Sequence, residues 1–400
     1  MRIAVLTSGI LPVPATGGGA VENLIDFYLE YNDRHRLHDI TVYSTESKEA
    51  RKHRALASSV NHYVFIDTES FISKIMKRIH RLTNRNEYYH YTIEFYLAKA
   101  LRHINRQTYD AIIIENRPGY ALHLDSLAIR PKIIYHLHND VLNRNTPRQK
   151  ELYDAADIII SVSDHITKQV SAVGGKDSKC VTVHNGIDTA MFSACGKQEM
   201  RRADIGLAEN DFVVVFSGRI IPEKGISELM DAMTALQDRP DIKLLIVGGA
   251  FFANETGTNP FIDSLIKKAA PIKDRIVFTG FVPYDKVPQY LRLADIAALP
   301  STWEEPFGLT CVEAMAAGLP IITTDRGGLP ETATDECAVI VTPGNDLARQ
   351  LAYAISDFMD SAEKREKMGR AAQARAAMFS KERYAEAFFK ALQAKRIKTQ

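Results

Sequence analysis

Residues 305–313 read EPFGLTCVE, a stretch that places a proline, a glycine and two glutamates at the start of an apolar helix. Proline disfavours the α conformation for the residue before it, so Glu305 is predicted on an extended loop, with the helix beginning near Gly308. Glu313 then falls in the opening turns of that helix. The N–H groups at a helix start suit phosphate or sugar hydroxyls, and carboxylates accept hydrogen bonds from hydroxyls. The stretch therefore predicts a site for polyol and phosphate, unless it is a solvated turn ahead of a buried helix.

The rest of the chain alternates short apolar runs with amphipathic stretches, and the pattern runs through the chain twice. Each half is therefore predicted to be an α/β domain, a Rossmann-like, doubly wound and mostly parallel sheet. An irregular stretch over 188–210 is interpreted as the linker, and 361–397 as one or two long surface helices. The predicted strands cover residues 2–8, 39–43, 62–66, 110–115, 132–137, 157–162 and 180–184 in the first half, and 212–217, 242–247, 275–279, 295–299, 320–323 and 337–341 in the second.

Length and composition are those of a two-domain globular protein. The chain has 400 residues, 46% of them hydrophobic and 25% charged, with a net charge of +1. A single core stops growing near ~250–300 residues, so two domains are expected. The charge balance gives no global reason for nucleic-acid binding. The predicted domains are 1–190, 191–375 and a returning C-terminal helix over 376–400.

The cysteines and the apolar runs bear on location. The four cysteines show no C-x-x-C spacing and no crowding, which argues against a metal cage or disulfide framework and fits a reducing cytosol. They are Cys180, Cys195, Cys311 and Cys337. The apolar run at the N-terminus is too short for a signal sequence, and no run approaches the ~20 residues of a membrane span. A cytoplasmic location is expected, with a peripheral position at the inner membrane face left open.

In open α/β sheets the ligand lies beyond the carboxyl ends of the strands, so the loops there matter most. In the second half, the first strand is followed by SGRIIPEKG over 217–225. Arg219 and Lys224 on this loop suit a diphosphate, although two such cations are also common in solvent. Gly248, after the next strand, would leave room for a base or ribose.

The first half offers two further candidate loops. Gly17, Gly18 and Gly19 enter a helix late after the first strand, so they fit a phosphate-binding or simply flexible loop better than a dinucleotide fingerprint. His138 follows the strand at 132–137 and is either a site residue or a hydrogen-bonded structural group. Strand alternation predicts that His136 faces the other way.

Taken together, these motifs resemble the retaining family 4 glycosyltransferases of GT-B architecture, over nearly the whole chain. The resemblance rests on the glutamate pair with Pro306-Phe307-Gly308, the loop 218–225, the turn Asn185-Gly186-Ile187-Asp188, and Gly327-Gly328 with Glu331. It implies two Rossmann-like domains facing across a cleft, with C-terminal helices packing back toward the N-terminal domain. It also implies transfer of a sugar from a nucleotide-diphosphate sugar, with uridine favoured as the base, to a hydroxyl acceptor in cell-envelope, capsular or exopolysaccharide synthesis.

The resemblance also assigns roles to residues. Arg219 and Lys224 would hold the donor diphosphate, Glu313 the ribose hydroxyls, and Glu305 the transferred sugar together with backbone N–H groups. His138 would lie near the hydroxymethyl edge of that sugar. The backbone N–H groups are those of Phe307, Gly308 and Leu309, and Gly18 and Gly19 would close over the phosphates.

The remaining expectations concern metals, acceptor and rival functions. No D-x-D, H-E-x-x-H or complete phosphate-loop motif is present, so nothing in the sequence demands a metal or other cofactor. Residues 48–106 carry twelve Lys and Arg against five Asp and Glu. With interleaved aromatics, this segment would suit an anionic membrane and a lipid-linked glycan acceptor, or be a solvated helical face whose aromatics enter the core. A sugar-nucleotide hydrolase or epimerase, and a non-catalytic binder, are the alternative functions.

Overall fold

The computed structural model describes residues 1–83, 91–124, 130–175, 179–193, 200–249 and 260–393, with the side chains of residues 83, 91 and 92 left out. Cys195 lies outside the described residues, as do Tyr88 and Tyr89, two of the aromatic residues interleaved in 48–106. The chain forms two compact units. Unit 1 comprises Met1–Asn185 and Lys381–Gln400, and unit 2 comprises Gly186–Ser380.

Unit 1 is built on a parallel sheet whose strands are short runs of Ile, Val, Leu and Tyr. Among the described residues the strand order is β3-β2-β1-β4-β5-β6-β7. Strands β4 and β6 are buried along their whole length and β5 from Ile133 onward, which accounts for their apolar sequences. The strands are β1 (Arg2–Leu6), β2 (Asp39–Thr45), β3 (His62–Ile66), β4 (Ala111–Glu115), β5 (Lys132–Leu137), β6 (Ile158–Ser161) and β7 (Cys180–Thr182).

Helices cover this sheet, and the last of them is supplied by the C-terminal end of the chain. Helix α15 packs on α1, where the rings of Tyr28 and Phe388 stack with centroids 4.3 Å apart. The expected return of the C-terminal helix to the first domain is thereby confirmed. The helices of unit 1 are α1 (Ala20–His35), α2 (Lys48–Arg51), α3 (Phe71–Thr83), α4 (Tyr91–Ile104), α5 (Gln149–Ala155), α6 (Asp164–Gly174) and α15 (Lys381–Ala391).

Unit 2 has a second parallel sheet, with the order β10-β9-β8-β11-β12-β13 in the described residues. Its strands are β8 (Phe212–Ser217), β9 (Ile242–Val247), β10 (Ile276–Phe278), β11 (Ile296–Leu299), β12 (Ile321–Thr324) and β13 (Ala338–Val341). Its helices are α7 (Thr189–Ser193), α8 (Ile226–Ala235), α9 (Pro260–Ala269), α10 (Val287–Leu291), α11 (Leu309–Ala316), α12 (Leu329–Thr332), α13 (Leu347–Asp360) and α14 (Ala362–Ala376).

Both sheets reverse their strand order at one point, between β1 and β4 in unit 1 and between β8 and β11 in unit 2. The crevice at the carboxyl ends of such strands is where open α/β sheets bind ligands. This places the candidate loops of both halves at ligand-binding ends of their own sheets.

The predicted doubly wound parallel sheets are confirmed, and every predicted strand overlaps an observed one. The linker over 188–210 stays a prediction, and the described part of this stretch contains α7 and a 3₁₀ turn, Arg202–Ile205. That turn is held by Arg202, whose guanidinium bonds the Leu293 and Asp211 carbonyls. The contact with Leu293 is distant in sequence, so local periodicity does not reveal it.

Candidate active site

The loop after β8 is pressed against the loop after β11, which brings candidate residues of unit 2 together. Gly225 adopts a φ of 69°, and a Cβ there would meet the carbonyl oxygen of Pro300 at 1.9 Å, so only glycine fits. The Glu223 carbonyl accepts hydrogen bonds from the Thr302 N–H at 2.9 Å and from the Ser301 hydroxyl at 3.1 Å. These contacts fix the 3₁₀ turn Pro222–Lys224 beside the residues that follow β11.

Lys224 and Glu305 form an ion pair at this junction. The ammonium of Lys224 donates to Oε1 of Glu305 at 2.5 Å, and the Ser301 hydroxyl donates to the same oxygen at 2.6 Å. The Glu305 side chain is buried and Lys224 keeps only partial access to solvent. The ion pair and its burial restrict the rotamers of both side chains, so the ammonium and the carboxylate are held in fixed positions. Both of these hydrogen bonds go to Oε1 of Glu305, and neither goes to Oε2.

The two-glycine turn at Gly327 and Gly328 supports the backbone of Glu305. The Gly328 N–H donates to the Glu305 carbonyl at 2.7 Å, and the Gly327 N–H donates to the Glu304 carboxylate at 2.7 Å. A Cβ on Gly327 would lie 2.2 Å from the Glu305 carbonyl oxygen, and its φ is 59°. The glycines are therefore required by the close packing of this turn on the loop that carries Glu305.

Helix α11 begins where the sequence predicts. Gly308 is its N-cap residue, with a φ of 100° that glycine tolerates best. The Phe307 side chain is buried and packs edge-on against Phe379, with ring centroids 5.5 Å apart. Phe307 is thus a core residue that anchors the loop, and with Gly308 and Leu309 it leads into a helix start whose first N–H groups have no partner within the helix.

Glu313 lies in the second turn of α11 and is buried, with 7% of its surface exposed. Burial raises the pKa of its carboxyl to about 8, although a hydrogen bond with Tyr284 and the charge of Lys224 both favour the ionised form. Without a bound ligand, Glu313 is therefore mostly protonated at neutral pH. Lys224 pairs with Glu305 and its charge also acts on Glu313, so the two glutamates lie in the same part of unit 2.

A small pocket forms at the carboxyl ends of β8 and β11, lined by Phe216, Ser217, Lys224, Leu299, Ser301, Glu305, Thr310, Cys311 and Leu329. Arg219 lies on the loop that supplies Lys224 and its side chain is exposed. Gly248 packs against the same loop, since a Cβ there would meet the Gly218 carbonyl oxygen at 1.9 Å. Position 248 therefore requires glycine because the two loops approach each other so closely.

In unit 1, the glycine loop leads into α1. Gly18 and Gly19 both have positive φ, 75° and 110°, and Gly19 is the N-cap residue. A Cβ on Gly19 would lie 2.2 Å from a carboxylate oxygen of Glu22, whereas the space around Gly18 contains no described atom within 4 Å. Burial raises the pKa of Glu22, which also accepts a hydrogen bond from the Ser8 hydroxyl.

His138 lies in a buried network centred on Glu115, the last residue of β4. Oε2 of Glu115 lies 2.9 Å from Nε2 of His138 and 2.9 Å from Nδ1 of His136, and Tyr28 donates to Oε1 at 2.9 Å. The two imidazole rings are 4.1 Å apart. The prediction that His136 faces away from His138 is therefore wrong. Strand β5 ends at Leu137, so the alternation of side chains does not extend to His138.

Burial and the neighbouring His136 lower the pKa of His138 to about 4, so its imidazole is neutral at physiological pH. Because Nε2 faces a carboxylate oxygen, the proton is assigned to Nε2 and Nδ1 is left as an acceptor. Among the described residues, Nδ1 of His138 has no hydrogen-bond partner. Burial works against the charge of Glu115, but the two histidines outweigh it and hold the pKa of that carboxyl below its usual range.

The same three residues are the candidate metal ligands of unit 1, because a carboxylate oxygen and two ring nitrogens lie within 4.8 Å of one another. Ligands at the usual zinc distances in a tetrahedral site lie roughly 3.3 Å apart. The observed separations of 2.9 Å between the oxygen and each nitrogen are shorter than this, and the contact of Nε2 of His138 with Glu115 is a hydrogen bond. We therefore interpret the cluster as a network that orients His138.

Sequence reasoning missed two residues of the unit 2 site. Ser301, which bonds Glu305, follows β11 within the same loop and could have been found by its position at the strand end. Tyr284, which bonds Glu313, lies on a 3₁₀ turn, Tyr284–Lys286, with no local sequence signal. Phe192 packs edge-on against its ring, with centroids 5.7 Å apart.

Known proteins resemble the chain over nearly its whole length. Residues 18–191 match the model for Glycosyltransferase Family 4, and residues 197–375 match that for Glycosyl transferases group 1. YtcC of Bacillus subtilis is 29% identical over 382 residues, which cover 92% of this chain and 86% of YtcC.

Solved structures share the fold. HepE of Anabaena, crystallised with UDP-glucose, matches with a TM-score of 0.72 and 24% identity, covering 98% of this chain and 99% of HepE. WaaG, a glycosyltransferase involved in lipopolysaccharide biosynthesis, matches with a TM-score of 0.68 and 15% identity, covering 98% of this chain and 100% of WaaG. The two family matches together cover most of both units, and the chain belongs to the family 4 glycosyltransferases, a retaining family.

Proposed function

We propose that this glycosyltransferase transfers a sugar from a UDP-sugar, with retention, to a hydroxyl of a glycan or lipid-linked glycan acceptor in cell-envelope, capsular or exopolysaccharide synthesis. The observation that carries the proposal is the Lys224–Glu305 pair at the carboxyl ends of β8 and β11, next to the start of α11. The choice of UDP is supported by the HepE complex with UDP-glucose, and the choice of glycan by the lipopolysaccharide role of WaaG.

In this proposal the diphosphate is held by Lys224 and Arg219. When the bond between sugar and phosphate breaks, negative charge grows on the departing diphosphate, and a cation already fixed in place stabilises it without reorganisation. Lys224 meets this requirement because Glu305 and the glycine turns hold it. Arg219, exposed on the same loop, adds a planar fork of donors suited to phosphate oxygens.

The hydroxyls of the donor are assigned to the two glutamates. Glu313 accepts from the ribose, and Oε2 of Glu305 accepts from the transferred sugar, whose other contacts are N–H groups of Phe307, Gly308 and Leu309. Ribose hydroxyls would supply the polar partners that a buried carboxylate otherwise lacks. Gly248 keeps its neighbouring loop close to the site.

Two contributions from unit 1 complete the proposal. The unpartnered Nδ1 of His138 accepts a hydrogen bond from a hydroxyl of the transferred sugar, and Gly18 and Gly19 lend backbone N–H groups to the phosphates. For retention, the acceptor attacks the face that the diphosphate leaves, and the departing phosphate oxygen takes the proton of the acceptor hydroxyl. The new glycosidic bond forms as the bond to phosphate breaks.

The proposal is tested by ligand binding and product analysis. Thermal unfolding is measured with UDP, GDP and ADP, and the proposal expects the largest rise in melting temperature with UDP, because a ligand that binds only the folded state stabilises it. Labelled UDP-glucose is then incubated with and without glycan acceptors. A labelled glycan formed only with acceptor supports transfer, whereas free sugar or an epimer formed equally without acceptor would favour a hydrolase or epimerase.

A further inference from the structure

Helix α3 carries its apolar side chains on the outside of unit 1. Large aliphatic residues recur at spacings of three and four, which places them on one face of the helix. On that face Ile72, Ile75, Met76, Ile79 and Leu82 are 70%, 44%, 39%, 57% and 78% exposed, and Phe71 at the helix start is 79% exposed. An apolar stripe of this width normally packs inward, so its exposure calls for a partner.

The face of α3 that packs on unit 1 is polar instead. Ser73 and Lys77 are its buried residues. The Ser73 hydroxyl donates to the Asp67 carboxylate at 3.0 Å and accepts from Lys99 at 2.9 Å, and Lys77 pairs with Glu69 at 2.6 Å. Because these bonds tie the polar edge to the unit, the orientation of the helix is fixed and its apolar face stays outward.

The charged side chains of α3 itself have one sign, although Glu69 ahead of the helix lies 3.9 Å from Lys74. Residues 71–83 contain no Asp or Glu. Lys74, Arg78 and Arg81 are exposed on one flank of the stripe. A second copy of this chain docking there face to face would bring like charges together, whereas an anionic surface would be complementary to them.

We propose that the outward face of α3 lies on an anionic lipid membrane, with its aliphatic residues in the headgroup–acyl boundary and its basic flank at the phosphates. A helix of this length lies in the interface, and none of the helices among the described residues is long and apolar enough to span a membrane. A groove between α3 and α4, lined in part by Met76, Ile79 and Phe95 with Lys99 and Arg102, continues the surface.

This surface differs from the one that the basic, aromatic composition of 48–106 suggests. Phe95 and Tyr96 enter the core of unit 1, and of the aromatics described there only Phe71 is strongly exposed. The contact surface is therefore aliphatic and confined to α3. The proposal goes beyond the reaction proposed above, since binding to a membrane requires no sugar donor.

The test is flotation of the full chain with vesicles of equal parts phosphatidylglycerol and phosphatidylcholine, compared with phosphatidylcholine alone. The wild type is expected to float with the anionic vesicles at low salt and less at high salt. Ile72→Gln/Leu82→Gln is expected to lower the partition coefficient about tenfold or more, because two large aliphatic contacts are lost. The matched control, Ile266→Gln/Tyr353→Gln, changes two similarly exposed residues of unit 2 and should float like the wild type.

A second variant, Lys74→Gln/Arg78→Gln, keeps the apolar face and should lose the preference for anionic vesicles. Thermal unfolding and UDP binding are measured for every variant, so that a misfolded protein or a wrong donor assignment is distinguished from a lost membrane contact. Three results would overturn the proposal: no flotation of the wild type at low salt, equal flotation of the Ile72/Leu82 variant, or a wild-type dimer in solution that this variant converts to a monomer.

Discussion

Glu115 in unit 1 and Glu313 in unit 2 are both buried glutamates, yet their pKa values are displaced in opposite directions. Two histidines hold the pKa of Glu115 below its usual range, and the Tyr28 hydroxyl donates a hydrogen bond to Oε1 of the same carboxylate. Glu313 has the Tyr284 hydroxyl and the more distant charge of Lys224, and burial raises its pKa to about 8. Burial alone favours the neutral acid, so the partners decide the outcome.

The two carboxylates differ in whether the protein itself supplies the hydrogen-bond donors that the ionised form needs. Glu115 already has the donors that an ionised carboxylate needs, and in the proposed mechanism it acts by orienting His138. Glu313 is short of donors until a ligand brings them, which is the condition expected of a binding residue. The two carboxylates therefore predict opposite responses to mutation.

The largest effect is expected from Glu115→Ala. The substitution leaves His136, His138 and the Tyr28 hydroxyl without their shared partner in a buried site, which typically costs about 3–5 kcal/mol of folding free energy. Urea unfolding at pH 7 measures this change. As the matched substitution, Glu313→Gln should leave the stability equal to or above that of the wild type, since it removes no charge that the empty site needs. A larger loss of unfolding free energy for Glu313→Gln than for Glu115→Ala would contradict this account of the two carboxylates.

Lys224→Ala should lower kcat on the order of 10²-fold, which is typical for the loss of one well-placed electrostatic donor. Steady-state turnover of UDP-glucose with a glycan acceptor measures the effect. Lys267→Ala is the control, because Lys267 is an exposed lysine of the same unit on α9. Turnover unchanged by Lys224→Ala would remove this residue from the mechanism.

Because their pKa values are displaced in opposite directions, Glu313 and Glu115 should make the free energy of unfolding change with pH in opposite directions. The folded-state pKa of Glu313 lies above its unfolded value of 4.5, so its contribution to stability falls as pH rises from about 4.5 to about 8. The slope is at most about 1.4 kcal/mol per pH unit. The lowered pKa of Glu115 makes its contribution fall as pH drops below about 4.5. Subtracting the unfolding curve of Glu313→Gln from that of the wild type isolates the first contribution; a flat difference between pH 5 and 8 would refute the raised pKa.

Proton release gives the smallest signal. If ribose hydroxyls donate to Glu313, UDP binding at pH 7 should ionise it and release up to about one proton per site. Calorimetric titrations in two buffers of different ionisation enthalpy count that proton. Glu313→Gln should abolish the release, and a release that persists in this variant would assign it to another group.

Much of this fold could be predicted from the sequence, because buried parallel strands are short apolar runs and Pro306 with Gly308 marks the start of α11. The candidate residues of unit 2 were found for a similar reason, since they follow strands. Their pairing was not predictable. Lys224 and Glu305 are 81 residues apart, and only the adjacency of β8 and β11 brings them together.

Two further features depended on tertiary structure. The alternation rule failed at His138 because the strand ends one residue earlier, and the pKa of Glu313 depends on Tyr284 from another element. The helical period of α3 was readable from its sequence, but which face points outward is set by bonds from Ser73 and Lys77 to other segments.

The central claim, that unit 2 grips the diphosphate of a UDP-sugar through Lys224, is tested most directly by calorimetric titration of UDP into the wild type, Lys224→Ala and Lys267→Ala. The account predicts that UDP binds the wild type and Lys267→Ala with equal affinity and binds Lys224→Ala about tenfold or more weakly, as expected when a hydrogen bond to a charged group is lost. Equal affinity of all three proteins for UDP would contradict it.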